Sequence, residues 1–229
     1  MFLSNPAKFF PALILISSIF GGCGFFKSYI DRTPPEKGNT PFSVAEPEVF
    51  QGEFVSSSGE NSTSSFYAKK GEDWRFDTAF GTENSKSVVK TDKLYSISHK
   101  KKIYAEMPPA QYQSSDPEFV GDLTFGLLKQ VKYTRFEEAG RDGKVVKYKA
   151  WIGDNAASEA LIYFDESVGM IVREEFTSLK GQTDSSPGPA FVFEIRNLQL
   201  SVDDSVFAMP AGYRKVAWNE YMTMVNKNG

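Results

Sequence analysis

The chain has a single cysteine, Cys23, in the run Gly21-Gly22-Cys23-Gly24, and a single histidine, His99, in Ser98-His99-Lys100-Lys101-Lys102. The Cys23 thiol is the one strong nucleophile, and the small residues beside it leave its backbone open to a modifying enzyme. One cysteine cannot close a disulfide within the chain. One cysteine and one histidine fall short of the ligand set of a zinc site, so no metal and no cofactor are expected. A Ser-His-Asp relay needs a buried histidine oriented by a carboxylate. His99 stands beside three lysines, so it is expected on the solvated tip of a hairpin. Carboxylates occur in adjacent pairs: Asp165-Glu166, Glu174-Glu175 and Asp203-Asp204. Neighbours along a strand point to opposite faces. The first two pairs therefore cannot easily converge as acid and base, and turns and solvated faces account for all three. The chain has no Walker loop and no GxGxxG. The expectation is a protein without a catalytic centre.

The amino terminus explains the cysteine. Lys8 is the only charged side chain of residues 1–8, and the apolar run Phe9 to Phe20 follows. A charged start, a short apolar run and small residues at its end make a secretory signal. With Gly21 and Gly22 before the thiol, the segment resembles the precursors of bacterial lipoproteins, although Phe20 replaces the usual leucine and Pro11 is unusual in the apolar run. The resemblance implies cleavage after residue 22 and lipidation of Cys23, which becomes the membrane anchor. A stable anchor of this kind needs more than one acyl chain. An uncleaved transmembrane helix is the alternative, and Pro11 and three glycines make it a poor helix. Gly24 replaces the aspartate that retains many such proteins at the inner membrane, which favours the outer membrane. The expected location is the cell envelope, facing the periplasm. Residues 23–47, with Pro34, Pro35, Pro41 and Pro47, read as an extended tether.

The body, 48–229, shows a period of two. Trp74 and Phe76 alternate with Arg75 and Asp77, and Tyr95 and Ile97 flank Ser96. Val146, Tyr148, Ala150 and Ile152 share one side of their run, as do Ala160, Ile162 and Phe164, then Phe191, Phe193 and Ile195. Aromatic residues make up 14% of the chain, which suits half-buried pleated surfaces. Turn residues such as Gly59, Gly71, Gly143 and Gly169 separate the runs. The fold class expected is mainly β (α+β): one antiparallel sheet of ten or eleven strands, a sandwich or barrel by its meander pattern. One helix is predicted over 117–130, where Asp116 caps, Pro117 opens, and Phe119, Leu123 and Leu127 share a face. A short C-terminal helix is predicted over 216–227, with Trp218, Tyr221, Met222 and Val225 on one side. A net charge of −3 excludes the basic footprint of a nucleic-acid binder.

Two stretches extend this reading. One runs from Phe66 to Phe76 and continues through Asp92–Ile97 and Lys102–Pro108. The other is Phe193–Leu198 with Asp203–Tyr213, closing in Phe207-Ala208-Met209-Pro210-Ala211-Gly212-Tyr213. Over about 50–215 the chain resembles the lipoprotein-carrier and lipoprotein-sorting superfamily (LolA/LolB-like). The resemblance implies a strongly curved, incomplete barrel whose hollow takes acyl chains under a helical lid. The lid would be the helix bearing Phe119, Leu123 and Leu127. The carrier opens with a long amphipathic helix where this chain has its tether, so a membrane-tethered binder, receptor or sensor fits as well as a carrier. The candidate lining is Trp74, Phe76, Tyr95, Ile97, Tyr148, Ile162, Phe164, Phe191 and Phe193. The expected partners are the membrane through lipidated Cys23 and a lipid or acyl ligand. The alternative is a structural or envelope-stress-sensing lipoprotein whose partner is another envelope protein.

Overall fold

The computed structural model describes residues 40–42, 47–112, 133–152, 158–178 and 191–226. The predicted helix at 117–130, with Phe119, Leu123 and Leu127, lies outside the described residues, as does Cys23.

Twelve strands form one sheet. The first meander is β1 (Val49–Ser58), β2 (Asn61–Lys70), β3 (Asp73–Thr78), β4 (Lys86–Lys90), β5 (Leu94–Ser98) and β6 (Ile103–Glu106). The second is β7 (Tyr133–Asp142), β8 (Val145–Ile152), β9 (Ser158–Asp165), β10 (Met170–Ser178) and β11 (Phe191–Gln199). The short β12 (Arg214–Lys215) precedes a helix at Trp218–Asn226. The spatial order is β12-β6-β5-β4-β3-β2-β1-β11-β10-β9-β8-β7, so β1 and β11 join the meanders at the centre. β7 and β12 end the order without meeting, which leaves the barrel incomplete.

The expected all-antiparallel sheet needs one correction. β12 runs parallel to β6, with Arg214 opposite Ile103. Parallel strands need a long crossover, and here the chain reaches β12 only after crossing the sheet as a strap at 200–213.

The register separates the two faces. Phe54, Tyr67, Phe76, Val88, Ser96 and Ala105 lie on one side, as the pairs Gly52–Tyr67, Tyr67–Phe76, Phe76–Val88, Val88–Ser96 and Ser96–Ala105 require. The same side continues through Phe54–Ile195 into Phe193, Ile162, Tyr148 and Phe136. We call this the apolar face. Its alternation is strict in β8 and β9, where buried residues are every second one. Gly52 permits the close β1–β11 approach, since a Cβ there would lie 2.9 Å from Ile195 Cγ2.

The C-terminal segment clasps one end of the sheet from both sides. On the opposite face the strap sets Val202 and Phe207 against Ala68, Val89 and Ile97. Asp203 caps the strap's 3-10 turn by accepting from Ser205 N at 2.8 Å. On the apolar face the C-terminal helix buries Tyr221 against Ile103, Ala105 and Val216. Tyr221 Oη is 2.8 Å from Ser96 Oγ. The helix matches the sequence expectation within a residue or two.

Candidate functional site

The central part of the apolar face is built by a row of register partners: Ser56, Phe193, Glu174, Ile162 and Tyr148, from β1, β11, β10, β9 and β8. A second row is Phe191, Phe176, Ala160, Ala150 and Phe136. All but one of the buried members are apolar or aromatic. The exception is Glu174, which has no exposed surface. Neither of its carboxylate oxygens has a hydrogen-bond partner among the described residues. Burial pushes its carboxyl up to about 8. At neutral pH it is therefore protonated, able to donate one hydrogen bond and to accept others. Leaving such a group unsatisfied costs about 1–3 kcal/mol, so each one in a native fold asks for a reason.

Phe42 reaches this face from outside the sheet. It belongs to the segment read from sequence as tether, yet it is buried. Its ring stacks on Phe164 at 5.1 Å and 19° between planes, and meets Tyr148 at 5.3 Å and Phe136 edge-on at 5.8 Å. The face thus accepts an apolar group that no strand contributes.

The nine residues singled out from sequence divide between the faces. Trp74, Phe76, Tyr148, Ile162, Phe164, Phe191 and Phe193 come together on the apolar face. Tyr95 and Ile97 do not join them. Tyr95 pairs with Val89, and Val89 with Arg75, so both side chains point to the strap side. Ile97 is packed there with Phe207, and Tyr95 contacts Tyr104. β5 is covered on both faces, by the strap and by the C-terminal helix, so alternation along it cannot distinguish the two sides.

His99 is also placed differently from its expected solvated tip. It is half-buried, with Nε2 2.6 Å from Ser87 Oγ and Nδ1 3.0 Å from Tyr213 Oη. Burial lowers its pKa below the usual 6.5, against a smaller opposing pull from Asp77. The pair is not a nucleophile and its base. Ser87 is fully buried, so no substrate can reach it. Both oxygens of Asp77 are taken by Arg75, at 2.8 and 2.9 Å, and none orients the imidazole. Arg75 also donates to the Val206 carbonyl at 2.9 Å. Together Arg75 and His99 tie the strap to the sheet.

Glu174, Phe42 and the His99 latch went unread in the sequence. Glu174 had a signal: it shares parity with the inward Phe176. Glu175, beside it, takes the solvated role, held by Arg173 at 2.7 Å and Tyr163 at 3.0 Å. Among the described residues, no group of three or more histidines, cysteines and carboxylates could hold a metal. No described helix is long and apolar enough to cross a membrane.

No family model matches this sequence, and no curated protein matches it. Solved structures give distant similarity. An uncharacterized conserved protein from Thermus thermophilus aligns over 73% of this chain and 89% of its own, at 11% identity and a TM-score of 0.43. The MucA/MucB complex of Pseudomonas aeruginosa aligns over 73% of this chain and 58% of the matched one, at 16% identity and a TM-score of 0.43. A LolA superfamily protein from Nitrosomonas europaea aligns over 72% and 92%, at 12% identity and a TM-score of 0.30. Similarity at this level leaves function to be argued from the chain itself.

Proposed function

We propose that this chain is a lipid-anchored, non-catalytic protein of the bacterial cell envelope that holds a hydrophobic ligand, an acyl chain, against its apolar face. The observation that supports it is Phe42: a ring from outside the sheet packs on this face against Phe164, Tyr148 and Phe136. An acyl chain would take the same kind of contact, with a driving force of roughly 25 cal/mol per Å² of apolar surface buried. The candidate lining is the seven residues that share the face: Trp74, Phe76, Tyr148, Ile162, Phe164, Phe191 and Phe193. The anchor is Cys23, acylated after removal of residues 1–22, with the domain facing the periplasm from the outer membrane.

Mass spectrometry of the full chain recovered from membranes tests both halves. The anchor predicts a mature protein beginning at Cys23 with acyl mass on the thiol; an unmodified sulfur refutes it. The ligand predicts copurified lipid, or palmitate binding by the stripped protein. A chain that carries no lipid and ignores palmitate refutes that part.

A second reading is favoured by β7. Among the described residues, this ten-residue strand ends the sheet order and pairs with β8 alone. An extended segment of an envelope protein could add to that edge. Crosslinking from β7 to a partner, with no lipid bound, would favour it over the acyl reading.

A further inference from the structure

On the face opposite the apolar one, β1 and β11 are irregular. Gln51 faces Gln199 and Glu53 faces Arg196, so β11 holds an extra residue between the pairs. That bulge contains Asn197, in the left-handed conformation at φ 54°. Bulges re-aim side chains and cluster beside functional sites. A second left-handed non-glycine residue, Ala79 at φ 50°, precedes Phe80 and turns it back over the sheet. Phe80 N donates to the Ser64 carbonyl at 2.8 Å, and its ring stacks on Phe66 at 5.2 Å and 25°. Two of the three non-glycine residues with positive φ among the described residues thus shape one place. Asparagine adopts this conformation readily, whereas alanine held in it carries strain, and such an outlier is the proper start of a functional hypothesis.

The place is a cleft of about 160 Å³ lined by Gln51, Glu53, Phe66, Phe80, Asn197 and Gln199. An enclosed cavity of roughly 150 Å³ takes one benzene, so an open cleft of this size covers one face of a larger ring and leaves the rest in solvent. Phe80 is 37% exposed, one of two large apolar side chains so open among the described residues. Gln51 Nε2 donates to Gln199 Oε1 at 2.6 Å, which leaves the Gln51 carbonyl and the Gln199 amide hydrogens for a ligand. Ser64 Oγ donates to Glu53 Oε1 at 2.5 Å, which leaves the second Glu53 oxygen as an acceptor. The Asn197 carboxamide has no partner among the described residues, and can donate and accept.

We propose that this cleft binds a neutral saccharide ring. An aromatic platform takes the C–H face of a pyranose. Three carboxamides and one carboxylate around it match alternating hydroxyl donors and acceptors. The lone charged group of the lining is an acid, which argues against phosphate and other anions. The site is independent of the acyl-binding face, and the two can succeed or fail separately.

Saturation-transfer NMR tests it on the full chain, with glucose, galactose and N-acetylglucosamine as probes. Expected is transfer from aromatic protons to ring protons of at least one sugar. Phe80→Ala should weaken that binding about tenfold, the worth of one aromatic stack. Asn197→Gly keeps the backbone conformation that glycine favours while removing the carboxamide, and should weaken binding several-fold. No transfer from any of the three sugars at millimolar concentration overturns the proposal. So does transfer that both variants leave unchanged.

Discussion

Glu174 stands opposite Phe193 in the β10–β11 ladder and opposite Ile162 in the β9–β10 ladder, so its carboxyl is enclosed between two apolar side chains. The consequence is a pH dependence. Below pH 4.5 the carboxyl carries its proton in both the folded and the unfolded chain. Between 4.5 and about 8 only the unfolded chain releases it, so stability falls as pH rises. Above about 8 the folded chain ionises as well and the loss levels off. The shift corresponds to on the order of 5 kcal/mol as an upper bound. Glu174→Gln should be more stable than the parent at pH 8 and indistinguishable from it at pH 4. Urea melts across that range decide the matter; parallel pH curves for the two proteins would contradict it.

His99 gives a slope of opposite sign. Its folded pKa lies below 6.5, so the unfolded chain binds the proton first as pH falls. Stability conferred by the neutral imidazole is complete above 6.5 and is lost as pH drops toward the folded value. As the chain holds one histidine, its ring resonance is assigned without ambiguity. An NMR titration should give a midpoint below 6.5. Tyr213→Phe, which removes the partner of Nδ1, should move the midpoint and loosen the strap. A midpoint at or above 6.5 would be inconsistent with the latch.

Phe42 supplies a third test. Truncating a buried phenylalanine removes about 3–5 kcal/mol where the site cannot collapse. Phe42→Ala should therefore lower the melting temperature and expose apolar surface that an environment-sensitive dye reports. If the ring holds the place of an acyl chain, palmitate should raise the melting temperature of the variant more than that of the parent. Equal shifts would mean that the ring and the fatty acid do not compete.

The strand pattern was legible because alternation records one wet and one dry face. β8 and β9 show it without exception: Val146, Tyr148, Ala150 and Ile152 inward, then Ala160, Ile162 and Phe164. The C-terminal helix was legible from Trp218, Tyr221 and Val225. Tyr95 and Ile97 were not placed correctly, because a strand buried on both faces has no dry side to read. Glu174 was hidden by its neighbour, since a Glu-Glu pair looks solvated unless its parity is tied to Phe176. His99 was hidden by its lysines: the chain that buries it arrives more than a hundred residues later, through Tyr213. Long-range contacts of that kind leave no local periodicity.

Asp77 and Arg75, two apart on β3, form the least exposed ion pair among the described residues. Their side chains are 3% and 17% exposed, and Arg75 carries the Val206 carbonyl as well. Removing one partner of a buried pair leaves a charge without compensation and costs about 3–5 kcal/mol. Asp77→Ala should therefore cost about 3 kcal/mol in urea unfolding. Glu106→Ala, which breaks solvent-exposed pairs with Lys93 and Lys215, should cost less than about 1 kcal/mol. Replacing both members by apolar groups removes the uncompensated charge along with the pair, so Asp77→Ala with Arg75→Met should be more stable than Asp77→Ala alone. A double variant at least as unstable as the sum of the singles would mean that Arg75 acts chiefly through the strap carbonyl, with Asp77 a bystander.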